Sequence, residues 1–196
     1  MQKIPTLFVR DFTVRPARIT DVVTEGCQWV LDGEGQSSEK YDGTCCLYQG
    51  GFLYRRYNYK RGRTPSDGWI PAQPEPDDQG NWPGWILVDY NNPADKWHLE
   101  AAAHWVANEL DPDEGTYELV GPKINGNPYG MREHSLWRHG ADFILIAPLT
   151  FDGIRSSLEQ LPMEGVVWHH EDGRMAKLKR KDFGFEWPKP RGGNGY

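Results

Sequence analysis

The stretch Glu39-Lys40-Tyr41-Asp42-Gly43-Thr44-Cys45-Cys46 decides how the rest of the chain is interpreted. Asp-Gly is typical of tight turns, and the residues after it are β-formers. The stretch therefore predicts a strand end, a turn and a second strand, with the amine of Lys40 beside the carboxylate of Asp42. A lysine placed in this way can act as a nucleophile, although Lys-x-Asp-Gly alone also describes many exposed turns.

The residues around this stretch predict further strands. Residues 44–59 predict a hairpin, because two runs of β-forming residues flank Gln49-Gly50-Gly51, a turn signal. Residues 4–14 alternate as a strand, residues 18–29 predict a second extended segment, and residues 32–35 predict a turn. Residues 60–84 are rich in Pro, Gly and Asp, which is typical of a long functional loop.

The second half of the chain mixes helices and strands. Apolar residues recur at helical spacing over 95–110, where Asn92 or Asp95 can cap the helix. The pattern also predicts a short helix over 156–161 and strands over 85–90, 116–121, 141–150 (buried), 164–170 and 175–179. Strands outnumber helices, so the predicted fold class is α+β, with antiparallel β-sheets flanked by helices.

Chain length favours one domain. The 196 residues suit a single domain with a sizeable core, and we assign 1–183 to it. Residues 184–196 are rich in Pro and Gly and predict a frayed tail. We expect no separate C-terminal domain, because so few residues follow Lys179.

Composition excludes several classes of protein. Mean hydropathy is −0.73, and no apolar run is long enough to span a membrane. We expect no secretion signal, because the N-terminal residues lack an apolar segment. The three cysteines, Cys27, Cys45 and Cys46, are odd in number, which favours reduced thiols and a cytoplasmic location.

The charge of the chain is acidic, with two basic blocks. The net charge of −6 argues against a large non-specific nucleic-acid surface. Basic residues nevertheless cluster at 55–63 and 177–181, so a basic groove can exist within an acidic protein. Taken alone, each block is also compatible with a solvated surface.

Three further motifs follow the lysine in order. They are Tyr117-Glu118-Leu119-Val120-Gly121, Glu164-Gly165-Val166-Val167 and Lys177-Leu178-Lys179. With the lysine motif, this ordered set resembles the nucleotidyltransferase (ATP-grasp-like ligase) domain of ATP-dependent RNA ligases. The resemblance extends over residues 39–179. The sequence is most similar to the family that contains the phage double-strand-sealing RNA ligase, and to a vertebrate RNA ligase that shares the motif Lys-x-Asp-Gly-Thr-Cys-Cys.

The resemblance implies a catalytic set of Lys40, Asp42, Lys177 and Lys179. Lys40 is implied as the nucleophile that attacks the α-phosphate of ATP and forms a lysyl–AMP. Lys177 and Lys179 alternate on one strand, so both can point to one face, where cations hold phosphate oxygens and lower the pKa of a neighbouring amine. Asp42 is implied in metal or 3′-OH steps, or it shapes the turn.

The resemblance also implies a nucleotide-binding set. Its members are Glu39, Lys40, Arg56, Glu118, Phe143, Glu164, Lys177 and Lys179. Glu39 is implied as acceptor for the adenine amine. Phe143 either stacks on the base or packs in the core.

The remaining implied roles are ribose binding and metal binding. Arg56, rather than Arg55, is implied to grip the ribose or the RNA 5′-phosphate. Glu164 and Glu118 are implied metal residues for Mg²⁺, with Mn²⁺ as a substitute, and Glu118 alternatively contacts the ribose.

The predicted function is that of an ATP-dependent RNA ligase. It joins 5′-phosphate and 3′-OH RNA ends, with ATP and RNA as partners and no membrane. Trp69, Trp82 and Trp85 are candidates for stacking on RNA bases. A DNA ligase, a GTP-dependent capping-type enzyme and a non-catalytic nucleotide- or RNA-binding module stay open as alternatives.

Overall fold

The computed structural model describes residues 3–188, and most of its regular elements are short strands. The strands are β1 (Phe8–Asp11), β2 (Arg18–Val23), β3 (Gln36–Lys40), β4 (Thr44–Gln49), β5 (Phe52–Tyr59), β6 (Ile70–Pro71), β7 (Trp82–Leu87), β8 (Gly115–Val120), β9 (Ser135–Arg138), β10 (Gly165–His169) and β11 (Met175–Lys179). The α-helices are α1 (Gln28–Leu31), α2 (Lys96–Ala107), α3 (Phe151–Gln160) and α4 (Arg180–Phe183), and a 3-10 turn (Pro93–Asp95) precedes α2.

The described chain divides into two compact units. Residues 42–139, with Lys3, form the six-stranded unit, and residues 4–41 and 140–188 form the three-stranded unit. Every pairing between the named strands is antiparallel, and the helices are few, so the predicted α+β class with antiparallel sheets is confirmed. The assignment of 1–183 to a single domain stays a prediction.

The six-stranded unit is built on one sheet of order β6-β7-β5-β4-β8-β9. The predicted hairpin over 44–59 is confirmed as β4 and β5, joined at Gly50 and Gly51. Both glycines have positive φ, 59° and 80°, which is the backbone that a tight two-residue hairpin turn requires. Helix α2 confirms the predicted helix over 95–110, with slightly tighter bounds.

The two faces of this sheet have different surroundings. Cys46, Tyr117 and Leu119 share a face and form a core with Ala101 of α2. Because side chains alternate along a strand, Cys45 and Glu118, which are direct partners across β4 and β8, point to the opposite face. Helix α2 therefore packs on the face of Cys46 and Tyr117, and not on the face that carries Cys45 and Glu118.

The three-stranded unit carries a sheet of order β11-β10-β3 and the hairpin β1-β2. Its hydrophobic core includes Leu7, Val166, Trp168 and Leu178, together with Leu158 of α3. The predicted hairpin at 164–179 is confirmed as β10 and β11. Residues 5–7 add to the outer edge of β11 through two backbone hydrogen bonds with Lys177.

The predicted buried strand over 141–150 is wrong. Only an isolated bridge joins Phe143 to Ser38, and Leu145 is 89% exposed. Side chains alternate here, so that Ile146 is buried while Leu145 faces solvent, and Pro148 has no N–H to continue a ladder. An apolar run alone could not distinguish this half-exposed segment from a buried strand.

Three smaller predictions also need correction. The extended segment over 18–29 ends at Val23, and Gln28–Leu31 forms the short helix α1, which buries Trp29 and Val30. The strand over 4–14 is shorter, Phe8–Asp11. The loop over 60–84 contains β6 and the start of β7.

The predicted frayed tail is wrong over residues 184–188. Trp187 is buried, and the backbone of Phe185 and Glu186 bonds to Arg180. The rest of the predicted tail, 189–196, lies outside the described residues. Over residues 3–188, no helix combines the length and the apolar character that a membrane span demands.

Candidate active site

Lys40 and Lys179 flank one carboxylate in the three-stranded unit. Both lysines are direct partners of Gly165, which lies at the start of the central strand β10. Their side chains therefore share one face of the sheet, on either side of the residue after Glu164. The Nζ atoms of Lys40 and Lys179 each lie 2.5 Å from a different oxygen of Glu164.

Glu164 is only 5% exposed, and both of its oxygens are paired with ammonium groups. A buried carboxylate without partners is very unfavourable, so this double pairing is what permits the burial. The backbone oxygen of Glu164 also accepts from the N–H of Arg180. The carboxylate is thus held between the last residues of β3 and β11.

Gly165 permits the close approach of β11. A Cβ built on Gly165 would lie 2.1 Å from the carbonyl oxygen of Leu178 and 2.9 Å from the Cα of Lys179. Any side chain would push β11 away, because backbone atoms cannot yield as a flexible side chain can. Glycine after Glu164 therefore lets Lys179 reach the carboxylate.

Lys177 lies on the same face of β11 as Lys179, as predicted from their spacing. Burial, the positive charges of Lys40 and Lys179 and that of Arg10 lower the pKa of Lys177 to about 8. Three lysines against the single carboxylate of Glu164 leave an excess of positive charge on this face. Such an excess suits an anionic ligand such as a phosphate chain.

The end of β11 is anchored by residues that sequence reasoning missed. Asp182 accepts from the backbone N–H of Lys179 and, at 2.7 Å, from the guanidinium of Arg10. The guanidinium of Arg180 is buried and donates to the carbonyls of Leu158 and Leu161 at the end of α3. An acidic residue three positions after Lys179 is a capping pattern, which the sequence could have indicated.

Glu39 lies next to a second acid of the three-stranded unit. Burial and the negative charge of Asp142 raise the pKa of Glu39 to about 7. Asp142 is held by the Tyr41 hydroxyl, which donates to its Oδ2 over 2.5 Å. The backbone N–H of Glu39 also bonds to the Asp142 carbonyl.

Phe143 is not a core residue, because its side chain is 63% exposed. That excludes plain core packing, one of the two alternatives for this position. The ring lines an open cavity of about 580 Å³ with Ser37, Ile144 and Trp168, all in the three-stranded unit. Its role in base stacking stays a prediction.

Glu118 lies in the six-stranded unit and is also nearly buried, at 8% exposed. Its Oε1 accepts from the N–H of Gly43 at 3.0 Å, and its Oε2 lies 2.8 Å from Nε2 of His139. His139 Nδ1 in turn lies 2.9 Å from the Thr116 hydroxyl. His139 was not singled out from the sequence, because only the register of β9 against β8 brings it to Glu118.

The side chains of Arg55 and Arg56, successive residues of β5, point to opposite faces of the sheet, as predicted from strand alternation. Arg55 forms a 2.7 Å ion pair with Asp95, which is fully buried, so Arg55 has a structural role. Arg56 points to the face of Cys45 and Glu118, with its guanidinium 4.8 Å above the ring of Trp85. The assignment of ligand binding to Arg56 rather than to Arg55 stays a prediction.

The remaining predicted residues are Asp42 and the tryptophans Trp69, Trp82 and Trp85. Asp42 accepts from the side-chain amide of Asn125 at 2.8 Å, and its backbone N–H donates to the Tyr129 hydroxyl. Trp85 is only 2% exposed, so the proposal that it stacks on RNA bases is wrong. The rings of Trp69 and Trp82 pack edge to face, 4.9 Å apart.

The structure thus brings together four of the predicted residues directly. Lys40, Glu164, Lys177 and Lys179 form one cluster in the three-stranded unit, which also carries Glu39 and Phe143. Asp42, Arg56 and Glu118 belong to the six-stranded unit. The individual roles assigned to all nine residues stay predictions.

Comparison with known proteins gives one consistent family. The family model described as RNA ligase 1 matches residues 107–192. RNA ligase 1 of Danio rerio is 27% identical over an alignment of 266 residues, which covers 95% of this chain and 82% of the relative. RNA ligase 1 of Rattus norvegicus is 28% identical over 275 residues, covering 96% of this chain and 82% of the relative.

A third relative is more similar over a shorter segment. RNA ligase 1 of Pongo abelii is 35% identical over 159 residues, which covers 62% of this chain and 49% of the relative. The resemblance to an RNA ligase family that was predicted from the sequence is therefore confirmed.

Proposed function

From the confirmed likeness of this chain to an RNA ligase family, we propose that it is an ATP-dependent RNA ligase. It joins a 5′-phosphate to a 3′-OH on RNA through a lysyl–AMP at Lys40. The observation that carries the proposal is the cluster in which Lys40 and Lys179 share the Glu164 carboxylate, with Lys177 beside them. The names of the relatives support RNA as the substrate.

In the first step, the neutral amine of Lys40 attacks the α-phosphorus of ATP. The Nζ–P bond forms, the bond between the α-phosphorus and the bridging oxygen breaks, and pyrophosphate leaves with that oxygen. The ammonium must first lose a proton, and Glu164 Oε2, 2.5 Å from Nζ, is in place to accept it. A phosphoramidate between Lys40 and AMP results.

Lys177 and Lys179 supply positive charge on the face where Lys40 lies. Phosphoryl transfer depends mainly on positioning and on charge stabilisation of the phosphate oxygens. The lowered pKa of Lys177 shows that its charge is held at a cost, close to other cations. An incoming phosphate chain removes that cost, which favours binding of the nucleotide.

In the later steps, AMP passes to the RNA. An oxygen of the RNA 5′-phosphate attacks the phosphorus of lysyl–AMP, the N–P bond breaks and Lys40 regains its amine. The 3′-OH of the second end then attacks the activated 5′-phosphorus and AMP leaves. For Asp42 we keep the assignment to the 3′-OH or metal steps, which rests on the resemblance.

Carboxylates at positions 164 and 118 fit a hard cation. Mg²⁺ prefers oxygen ligands, and Mn²⁺ accepts the same set. Each of the two is taken separately as a candidate ligand for such an ion. In this structure the Glu164 oxygens pair with ammonium groups, and those of Glu118 pair with the Gly43 N–H and with His139. A bound Mg²⁺ supplies charge neutralisation for the phosphate oxygens.

Base and sugar recognition complete the proposal. Glu39 accepts a hydrogen bond from the adenine amine and so favours ATP over GTP, while the exposed ring of Phe143 stacks on the base. Arg56 contacts the ribose or the RNA 5′-phosphate, and Glu118, where it does not hold the metal, contacts the ribose. We also propose a cytoplasmic location, which rests on the cysteine content alone.

The test is the intact mass of the protein after incubation with ATP and Mg²⁺. We expect a mass gain of one AMP in the wild type and none in Lys40→Ala. Lys181→Ala is the matched control, because Lys181 is exposed and lies outside the cluster. Protein already adenylylated on purification is first discharged with pyrophosphate.

Two results would overturn the proposal. One is a wild-type protein that binds ATP but gains no mass, which would favour a binding module. The other is an adduct that persists in Lys40→Ala. Labelling by GTP in place of ATP would support the capping-type alternative.

A further inference from the structure

Three potential metal ligands lie together on one face of the six-stranded unit, and the proposed ligase mechanism uses only one of them. They are Cys45 of β4, Glu118 of β8 and His139, which directly follows β9. Their ligand atoms (the thiol sulfur, a carboxylate oxygen and a ring nitrogen) all lie within 4.8 Å of one another. We propose that these residues form a binding site for a thiophilic divalent cation, with Zn²⁺ as the best fit.

The strand register fixes the three ligands in place. Cys45 and Glu118 are direct partners across β4 and β8, so their side chains share a face. The backbone N–H of His139 bonds to the carbonyl of Thr116, which continues the β8–β9 ladder to His139. All three ligands therefore come from adjacent strands, a more rigid support than a loop provides.

The atoms not needed for a metal are already held. Glu118 Oε1 accepts from the Gly43 N–H, and His139 Nδ1 lies 2.9 Å from the Thr116 hydroxyl. This leaves Glu118 Oε2 and His139 Nε2 facing each other at 2.8 Å. A metal-bound histidine typically uses its other ring nitrogen in this way, which orients the ring.

The donor set selects the cation. Thiolate, imidazole and carboxylate together suit Zn²⁺, whereas Mg²⁺ prefers oxygen ligands alone. Two anionic ligands neutralise a divalent ion, and three protein ligands leave one tetrahedral position open for water. Ligand atoms of tetrahedral zinc lie about 3.3–3.6 Å apart, so Oε2 and Nε2 must separate by roughly half an ångström.

Arg56 also lies near this site, and its guanidinium is close enough to Cys45 for their charges to interact. Its positive charge opposes a bound cation, whereas the two anionic ligands, a thiolate and a carboxylate, attract one.

The proposal is tested by titrating the full chain with Co²⁺ after removal of bound metals with a chelator and under reducing conditions. Co²⁺ adopts the geometry of Zn²⁺, and a thiolate ligand gives it a near-ultraviolet charge-transfer band. We expect this band to saturate at one equivalent of Co²⁺, to disappear on addition of Zn²⁺ and to resist excess Mg²⁺. The readout requires no ligase activity.

Variants assign the ligands. We expect Cys45→Ser to lose the band, while Glu118→Gln and His139→Ala weaken Co²⁺ binding by more than about tenfold. Thr116→Val, which removes only the partner of His139 Nδ1, is expected to weaken binding about tenfold. Cys46→Ala is the matched control, because Cys46 is the next residue on the strand but points to the opposite face.

Loss of folding can be separated from loss of a ligand. Each variant is checked by its thermal midpoint without metal, and Cys27→Ser, in the other unit, replaces Cys46→Ala if that variant does not fold. No charge-transfer band in the wild type, a band that survives in Cys45→Ser, or displacement of Co²⁺ by Mg²⁺ would each overturn the proposal.

Discussion

At the scale of residues, the lysine cluster depends on how Lys40 and Lys179 share the carboxylate of Glu164. Glu164 is buried between the ammonium groups of Lys40 and Lys179, and each of its oxygens serves one lysine. Within residues 3–188 Lys177 forms no ion pair, and burial together with the neighbouring positive charges lowers its pKa to about 8. A side chain held at a cost to stability is expected where function requires it.

Lys177 gives a pH-dependent prediction. The pKa of a lysine is about 10.5 in the unfolded chain and about 8 for Lys177 in the fold, so the folded state disfavours its charged form. This penalty is complete below pH 8 and fades as the pH rises from about 8 towards 10.5. We expect Lys177→Met to raise the free energy of unfolding at pH 7 by about 2 kcal/mol, while abolishing AMP transfer.

Urea unfolding at pH 7 and pH 10 measures this effect. The stability advantage of Lys177→Met over the wild type should be largest at pH 7 and shrink at pH 10. Lys181→Met, at an exposed position, should show no such change with pH. A Lys177→Met protein that is less stable than the wild type at pH 7 would contradict the account.

At the scale of elements, the strand pairing around Gly165 sets the geometry of the cluster. β10 is the central strand, and its first residue pairs with the last residue of β3 and the last residue of β11. Helix α4 follows at once, and Asp182 fixes its first turn by accepting from the Lys179 N–H. Both lysines thus leave their strands at one end of the sheet.

Gly165→Ala is predicted to move β11 and with it Lys179. The added Cβ meets the Leu178 carbonyl oxygen at 2.1 Å, so we expect a loss of about 1–3 kcal/mol in stability. Because the lysine–carboxylate distances change as well, AMP-adduct formation should fall more than in other variants of equal stability. Thermal midpoints and single-turnover adduct formation measure the two effects.

The control for this variant lies in the turn between the same strands. Gly173 has a φ of 90° and no atom within 4 Å of a built Cβ, so Gly173→Ala strains the turn without displacing a strand. It should lower stability but leave adduct formation nearly intact. Equal loss of adduct formation in both variants would show that Gly165 acts through stability alone.

The strands also show what sequence patterns can and cannot predict. The hairpin β4–β5 and the pair β10–β11 were predicted because Gly50-Gly51 and the alternation around Lys177 are local signals. The segment 141–150 was misread, since its apolar residues point alternately inward and outward around Phe143 and Leu145. Whether each of these side chains is buried depends on residues that are distant in the sequence.

At the scale of the whole molecule, the candidate site was only partly predictable. The order of the motifs identified Lys40, Glu164, Lys177 and Lys179, but not the sharing of Glu164, because 124 residues separate it from Lys40. His139 was not predicted, because only strand register brings it to Glu118. Asp182 was missed although its spacing from Lys179 is a local capping pattern. The resemblance to RNA ligases supplied the roles, and the structure supplies the contacts within each unit.

The function proposed for this protein is the sealing of RNA ends through Lys40. The direct measurement is joining of a labelled RNA with a 5′-phosphate to one with a 3′-OH, in the presence of ATP and Mg²⁺, beside the matched DNA. We expect joined RNA and released AMP for the wild type and for Lys181→Ala, and no joining for Lys40→Ala. Joined RNA from Lys40→Ala, or joining of DNA but not of RNA by the wild type, would contradict it.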